Sequence, residues 1–238
     1  TRTVCHLNEG AAKHDYKHPD YESLNEWGEL QYKRLFIRSL RRYGRLHNSF
    51  QNESNRGKLT IGGSPTAEVD VHASALQILA GHPETKFTLP DVDDLYQAGQ
   101  LQNLNREIIK TLVQVVLNSS KPLLERKDWP KSITEDEEKK ALVEGEGIPW
   151  ATYRDALAHT YPALTKLPDD FGMSLFRVES DIIVQAMLQL LEVGIGCLSV
   201  HDCLIVPHDK LAETEKAFID AYDQFGFNPP RLKVDYAV

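Results

Sequence analysis

Residues 198–207 read Leu-Ser-Val-His-Asp-Cys-Leu-Ile-Val-Pro. The apolar residues on either side of His201 and Asp202 predict two short strands, with the polar pair at the turn that joins them. A hairpin with buried arms would hold the Asp202 carboxylate rigidly at its tip, as a metal site requires. The same pattern is typical of an ordinary surface turn, because Asp is common there. The rest of the chain has to decide between these two interpretations.

The composition is that of a soluble globular protein. The chain has 238 residues, 41% of them hydrophobic and 26% charged, which is enough for one large domain or two small ones. We see no long apolar run that predicts a transmembrane helix, and no signal-peptide pattern. The three cysteines are at no metal-ligand spacing and predict free thiols in a reducing compartment. We therefore expect a cytoplasmic protein without a membrane partner, and leave a phage, plasmid or organellar origin open.

The charge is unevenly distributed along the chain. A net charge of −8 argues against nucleic-acid binding for the chain as a whole. Residues 33–45, however, carry six basic side chains and no acidic one: Lys33, Arg34, Arg38, Arg41, Arg42 and Arg45. The spacing of apolar residues predicts a helix from Glu26 to about Tyr43 beneath these cations. The basic stretch fits either a nucleic-acid contact or a solvated helix face.

The remaining periodicity alternates between helices and strands and predicts the α+β class. A strand over 67–71 passes into an apolar helix at 74–80, so Asp70 lies near the end of a strand, where sites tend to be built. Residues 1–25 are polar and predict an irregular segment. Helices are also predicted over 103–117, 150–159, 179–191 and 211–225, with further helix starts at 91–100 and 134–137, and strands over 45–50, 58–61 and 231–236.

One helix carries a polar stripe. On the helix predicted over 103–117, polar side chains recur every four residues, which places them on one face: Arg106, Lys110, Gln114 and then Asn118. Two cations and two amides in a row suit a triphosphate. The pattern alone fits the exposed face of an amphipathic helix at least as well.

Asp70 and Asp202 together suggest a metal site. Two carboxylates on adjacent strands can hold two divalent cations, and Mg²⁺ prefers such oxygen ligands together with substrate phosphates. A cationic helix opposite them would bind the triphosphate. Positioning and charge stabilisation of this kind do most of the work in phosphoryl transfer.

These segments resemble the palm and fingers of the family A DNA polymerases and the phage-type single-subunit RNA polymerases. The resemblance covers roughly residues 43–236. Three motifs carry it in the family's order: the strand-borne Asp of Val69–Gln77, the Arg106/Lys110 helix with Asn118-Ser119, and Val200-His201-Asp202 on a hairpin. The helix start at Glu179–Ile183 is similar to the family's helix before that hairpin. The stretch Tyr43–His47 is similar to a Gly-Arg strand of the RNA polymerase branch.

The resemblance implies a set of site residues. Asp70 and Asp202 would be catalytic metal ligands for two Mg²⁺ ions, with Mn²⁺ as a substitute, and the backbone carbonyl of Val71 would be a further ligand. It also implies that Arg106 and Lys110 bind the triphosphate and that Lys110 donates a proton to pyrophosphate. Gln114, Asn118 and Ala75 would lie near the nucleotide. His201 and Arg45 would contact the primer or template.

The chain departs from that family at three positions. Asn118-Ser119 stands where the family has Tyr-Gly, which contributes to the choice of sugar. Ala75 stands where the DNA polymerases have a Glu that excludes ribonucleotides, so a 2′-hydroxyl would be tolerated. Cys203 replaces the acid that often follows His-Asp. No thumb or proofreading exonuclease is recognisable, so processivity would need a partner protein or a region outside this sequence.

We therefore expect a palm-like antiparallel sheet with a small helical fingers region. The expected domains are an N-terminal helical or irregular segment (1–42), a first palm part (43–90), fingers (91–165) and a second palm part (166–238). The expected function is template-directed nucleotide transfer, with a DNA template, a primer or product strand and nucleoside triphosphates as partners. Two alternatives remain open: a palm that has lost synthesis and binds nucleic acid or assembles with a partner, and a metal-dependent phosphohydrolase.

Overall fold

The computed structural model describes residues 2–20, 30–52, 55–85, 87–119, 123–168 and 171–236. Their contacts divide the chain into two compact units. The first unit combines residues 1–78 with 176–238, and the second consists of residues 79–175. The fold is mixed, with eight α-helices and antiparallel sheets in the described part of the chain.

The first unit is built on an antiparallel sheet around one long strand. This strand, β5 (Ser64–Val71), pairs with β7 (Cys203–Pro207) on one side and with β8 (Leu232–Tyr236) on the other. A hairpin adds β6 (Leu198–Val200) to β7, and β4 (Thr60–Ile61) and β1 (Tyr16–Lys17) continue the sheet from the start of β5. All residues of β6 and β7 are buried, which explains their continuous apolar sequence.

Four helices complete the first unit. They are α1 (Arg2–Ala11), most of α2 (Ser74–Gly81), α7 (Phe171–Glu192) from residue 176 onward, and α8 (Leu211–Gln224). Helix α8 packs on β5 and β7. Its buried residues recur at helical spacing, as an amphipathic sequence requires: Thr214, Ala217, Phe218, Ala221 and Tyr222.

A separate two-stranded hairpin belongs to the same unit. It consists of β2 (Lys33–Phe36) and β3 (Tyr43–His47), joined by a turn over 37–42. The prediction of a helix from Glu26 to Tyr43 is therefore wrong over residues 30–43, while Glu26 and Trp27 lie outside the described residues. Leu35, Ile37 and Leu40 are exposed, so their helix-like spacing did not mark a buried face.

The second unit is helical. Its helices are α3 (Arg106–Leu117), α4 (Lys131–Thr134), α5 (Glu137–Glu146) and α6 (Trp150–Thr160), connected by short 3₁₀ turns. Helix α3 starts where Asn105 accepts hydrogen bonds from the backbone N–H groups of Glu107 and Ile108. The predicted helix start over 91–100 is instead a pair of 3₁₀ turns, and α5 is capped by Asp136 rather than by Thr134.

The amino-terminal part also differs from expectation. Residues 1–25 were expected to be irregular, yet α1 forms there with Leu7 and Ala11 buried, and β1 follows. The polar composition of this segment did not predict the helix. Two buried residues four positions apart are nevertheless enough to pack it. Within the described residues, no helix has the length and apolar character needed to cross a membrane.

Candidate metal centre

Pairing of β5 with β7 brings Asp70 and Asp202 close together. Asp70 lies opposite Cys203 across this ladder, and Asp202 directly precedes Cys203 in the chain. Neighbouring antiparallel strands are about 5 Å apart, so the two carboxylates arise from one corner of the sheet. Each of the two residues is partly exposed. The sequence prediction that a strand and a hairpin turn supply these acids is confirmed at the level of the elements.

The Asp202 turn is as tight as a hairpin turn can be. Val200 pairs with Cys203, which leaves only His201 and Asp202 between the strands. His201 has a φ of 57°, in the left-handed region that non-glycine residues rarely adopt. Strained backbone of this kind persists where the surrounding structure over-determines it, as the buried arms do here. The turn therefore fixes the direction of the Asp202 side chain.

We expect the strain at His201 to be measurable as a difference between two substitutions. His201→Gly and His201→Ala remove the same side-chain contacts, but only glycine adopts a positive φ without cost, so the glycine variant should be more stable by about 1 kcal/mol. Guanidinium unfolding measures this difference. At His208, whose φ is not positive, the order should reverse. An alanine variant as stable as the glycine variant at position 201 would contradict the turn geometry.

The two carboxylates repel each other. Burial raises the pKa of Asp70, and the negative charge of Asp202 raises it further, to about 7. The N–H of Val71 and the cation of Lys233 oppose this rise. Near pH 7, Asp70 therefore holds a proton part of the time unless a cation neutralises the pair. This is the electrostatic situation that a bound divalent ion would relieve.

A polar network behind the carboxylates was not predicted. Glu179 on α7 is buried, forms an ion pair with Arg45 on β3, and accepts a hydrogen bond of 2.9 Å from the hydroxyl of Ser74 on α2. Burial raises the pKa of Glu179; the cation of Arg45 counteracts this, and the charge of Asp202 adds to it. The only sequence signal was an acid at a helical spacing otherwise occupied by buried apolar residues.

Two predicted primer or template residues lie beside this network. The guanidinium of Arg45 also stacks on Phe176 at 4.2 Å, and its Nε is buried without a hydrogen-bond partner among the described residues. The ring of His201 is 3.0 Å from the amide nitrogen of Gln51, and partial desolvation of the ring together with the Arg45 cation lowers its pKa. Arg45 thus acts on both Glu179 and His201 and links the hairpin strand β3 to the turn.

Glu68 is a second acid that the sequence prediction missed. It lies two residues before Asp70 on β5 and therefore shares its face of the sheet. Its carboxylate forms an ion pair of 3.2 Å with Arg56 and accepts a weak hydrogen bond from the Cys203 thiol at 3.7 Å. Burial raises the pKa of Cys203, so this side chain stays a thiol and does not replace a metal-binding acid.

The donor set fits Mg²⁺ better than a transition metal. In the part of the chain that is described, no group of three or more His, Cys, Asp or Glu side chains is arranged to hold a metal ion. Mg²⁺ usually keeps several waters and binds through one or two carboxylates plus substrate phosphates. Asp70 and Asp202 supply that minimum. Two further predicted site residues lie close by in the chain. Val71 is the last residue of β5 and pairs with Leu232, and Ala75 is half-buried in the first turn of α2.

The predicted triphosphate residues lie in the second unit, on α3. Arg106 forms ion pairs with Asp94 and Glu107, stacks on Tyr96 at 5.4 Å, and has its pKa raised mainly by Asp94. Lys110, one turn further on, is exposed. The side chains of the stripe do share one helix face, as the spacing predicted. Arg106 is occupied by acids of its own unit, whereas Lys110 is accessible to a ligand.

A cavity of about 480 Å³ adjoins the end of that helix face. Gln114 and Asn118 both line it, on the side formed by α3. Its basic lining comes from the following segment: Arg126, Lys131 and Lys139. Asn118 follows the last residue of α3, and its side-chain amide donates to the carbonyl of Gln114 at 2.8 Å. Two amides and three cations reach this cavity of the second unit, but most of its lining is apolar, and Lys131 and Lys139 are paired with Glu135 and Asp136.

The chain matches none of the protein-family models and none of the curated proteins with which we compared it.

Proposed function

We propose that this protein is a template-directed nucleotidyltransferase with a polymerase-type palm, which uses two Mg²⁺ ions to add nucleotides to a primer or product strand. The observation that carries the proposal is the placement of Asp70 and Asp202 on paired strands β5 and β7, at the corner formed by a two-residue turn. The repulsion between the carboxylates supports it, since a divalent cation would remove it.

The proposed reaction forms a bond between the 3′-hydroxyl oxygen of the primer and the α-phosphorus of a nucleoside triphosphate. The bond from that phosphorus to pyrophosphate breaks, and the hydroxyl proton passes to water. Bound Mg²⁺ ions supply charge that stabilises the attacking and leaving oxygens. Asp70 and Asp202 would hold the ions, and His201 would position the primer end. In this proposal Lys110 of the second unit would bind the triphosphate and donate a proton to pyrophosphate.

Several residues fit narrower roles in this proposal. Gln114 and Asn118 would contact the nucleotide from the cavity that they line. Arg45 would position the primer, and its ion pair with Glu179 holds the guanidinium in place. Ala75 leaves room for a 2′-hydroxyl, so we expect ribonucleotides to be accepted as well as deoxyribonucleotides.

Primer extension tests the proposal. The purified chain is incubated with a labelled primer–template, with dNTPs or NTPs, and with Mg²⁺ or Mn²⁺, beside a binding assay at several salt concentrations. Extension that EDTA abolishes is the expected result. Release of nucleotides from the primer without extension would instead indicate a phosphohydrolase and overturn the proposal.

One observation favours a second candidate function, a palm that binds nucleic acid without synthesis. The guanidinium of Arg106 is held by Asp94 and Glu107, so it is not available to a triphosphate in this conformation. If this candidate is correct, the primer–template binds with a salt-dependent affinity, but no nucleotide is added with either metal.

Metal binding should also appear in the stability of the protein, independently of activity. Without metal, the folded pKa of Asp70 of about 7 lies above its ordinary value of 3.8. The folded state therefore binds an extra proton between these pH values, and the free energy of unfolding should fall as the pH rises through them. We expect about 1–2 kcal/mol, less than the full linkage value because the carboxyl is partly exposed and screened.

The measurement is urea unfolding of the wild type and of Asp70→Asn, in EDTA and in Mg²⁺. The variant should lack the pH dependence that Asp70 causes, and at pH 8 Mg²⁺ should stabilise the wild type alone. Equal stabilisation of both proteins by Mg²⁺ would place the metal elsewhere.

A further inference from the structure

The turn of the β2–β3 hairpin exposes apolar side chains next to cations. Leu40 is 72% exposed, Leu35 49% and Ile37 41%. Arg38 and Arg41 are exposed in the same turn, and Arg42 is half-exposed. We call residues 37–42 the hairpin tip. Although the chain as a whole carries a net charge of −8, exposed aliphatic side chains beside local arginines point to a polyanionic partner with apolar surfaces.

The tip is held in place by α7. The guanidinium of Arg177 donates to the carbonyl of Leu40 at 3.0 Å, and Arg177 also pairs with Asp181 at 2.7 Å. Arg34 on β2 forms an ion pair with the same Asp181, and the hydroxyl of Ser180 donates to the carbonyl of Gly44 at 2.5 Å. These bonds present the tip without the ordering cost of a free loop.

The base of the hairpin leads to the candidate metal centre. Strand β3 contacts β6, and just past β3 the side-chain amide of Asn48 donates to the carbonyl of Ser199 at 3.0 Å, two residues before the turn that carries Asp202. Between Leu40 and Arg45 the chain spans at most about 18 Å, which corresponds to about five base pairs of duplex. A nucleic acid that ends at the metal centre can therefore extend past the tip.

The chemistry of the tip favours a duplex over a single strand. Proteins bind single strands largely by stacking bases on aromatic rings. Phe36, beside the tip, already has its ring covered by the guanidinium groups of Arg34 and Arg177, at 5.5 and 5.3 Å. Aliphatic side chains that act as wedges in the minor groove, flanked by arginines, are typical of proteins that bind double helices.

We propose that the hairpin tip is a second nucleic-acid contact, in which Leu40 enters the minor groove of the duplex and Arg41 binds one of its phosphates. The contact would hold the primer–template duplex. This inference rests on the proposed function for the presence of a duplex, but not on catalysis.

Binding of a fluorescein-labelled DNA primer–template by the full chain tests the inference, without metal and at several salt concentrations. We expect Arg41→Ala to lower the slope of log affinity against log salt by about 0.9, the value for one lost phosphate contact. Leu40→Ala should weaken binding about tenfold with an unchanged slope, because it removes an apolar contact. Both side chains are exposed, so neither substitution should unfold the protein.

The matched controls lie elsewhere in the same unit. Val193 is 69% exposed just after the end of α7, and Lys216 is exposed on α8. Val193→Ala and Lys216→Ala should bind as the wild type does. Wild-type affinity in the tip variants would overturn the inference. So would finding that the wild type is a dimer and that Leu40→Ala dissociates it, because the tip would then bind a second copy of the chain. If binding depends on the hairpin tip but no nucleotide is added, the proposed function is wrong and this inference still holds.

Discussion

Replacing either candidate metal ligand should abolish nucleotide addition without unfolding the protein. Asp70→Asn and Asp202→Asn keep the shape of the side chain but remove the charge that holds a divalent cation. Charge stabilisation by the metal contributes several kcal/mol, so we expect single-nucleotide incorporation to fall at least about a thousandfold, equivalent to about 4 kcal/mol. The measurement is the incorporation rate at saturating primer–template and nucleotide.

The fold and the charge both need controls. Asp223→Asn removes an exposed acid from α8 and should keep wild-type incorporation. Circular dichroism should show an unchanged fold in all three variants. Asp70→Asn should be at least as stable as the metal-free wild type near pH 8, because it ends the repulsion by Asp202. Activity retained by both active-site variants would eliminate Asp70 and Asp202 as the metal ligands.

The largest effect on stability should come from Arg45→Met. The substitution leaves the carboxylate of Glu179 buried opposite an apolar side chain, and the loss of one partner of a buried ion pair costs about 3–5 kcal/mol. The pKa of Glu179 should rise further, so the deficit should shrink as the pH is lowered and the folded state takes up a proton. Guanidinium unfolding at pH 8 and at pH 5.5 measures both effects.

A second substitution separates charge from packing. Glu179→Gln combined with Arg45→Met should recover most of the lost stability, because no buried charge remains without a partner. Arg34→Met is the matched control: its partner Asp181 also pairs with Arg177, so the loss should be smaller. If Arg45→Met and Arg34→Met lowered stability equally, the account of Glu179 as a buried anion would be wrong.

The elements that carry the carboxylates could be predicted because their signals are local. An apolar run interrupted by His201-Asp202 predicts the β6–β7 hairpin, and the strand–helix change after Asp70 predicts β5 and α2. Helix α3 could be predicted for the same reason, because its buried residues recur at helical spacing. The assignment of these elements to a polymerase palm and fingers stays a prediction.

The parts that were missed depend on long-range contacts. Glu179 pairs with a residue 134 positions away, which no local pattern encodes. Strand β2 and the turn after it were predicted as a helix because Leu35, Ile37 and Leu40 have helical spacing, although tertiary contacts of Arg34 and Arg177 hold this segment in the β2–β3 hairpin. Local propensity decides an element only where no such contacts override it.

Templated incorporation of a single nucleotide tests the central claim most directly. Four primer–templates that differ only in the first unpaired template base are each offered all four nucleotides in Mg²⁺, with EDTA as the control. We predict that each template directs addition of its complementary nucleotide, and that Asp202→Asn adds none. No addition on any template, or addition that ignores the template base, would contradict a template-directed nucleotidyltransferase.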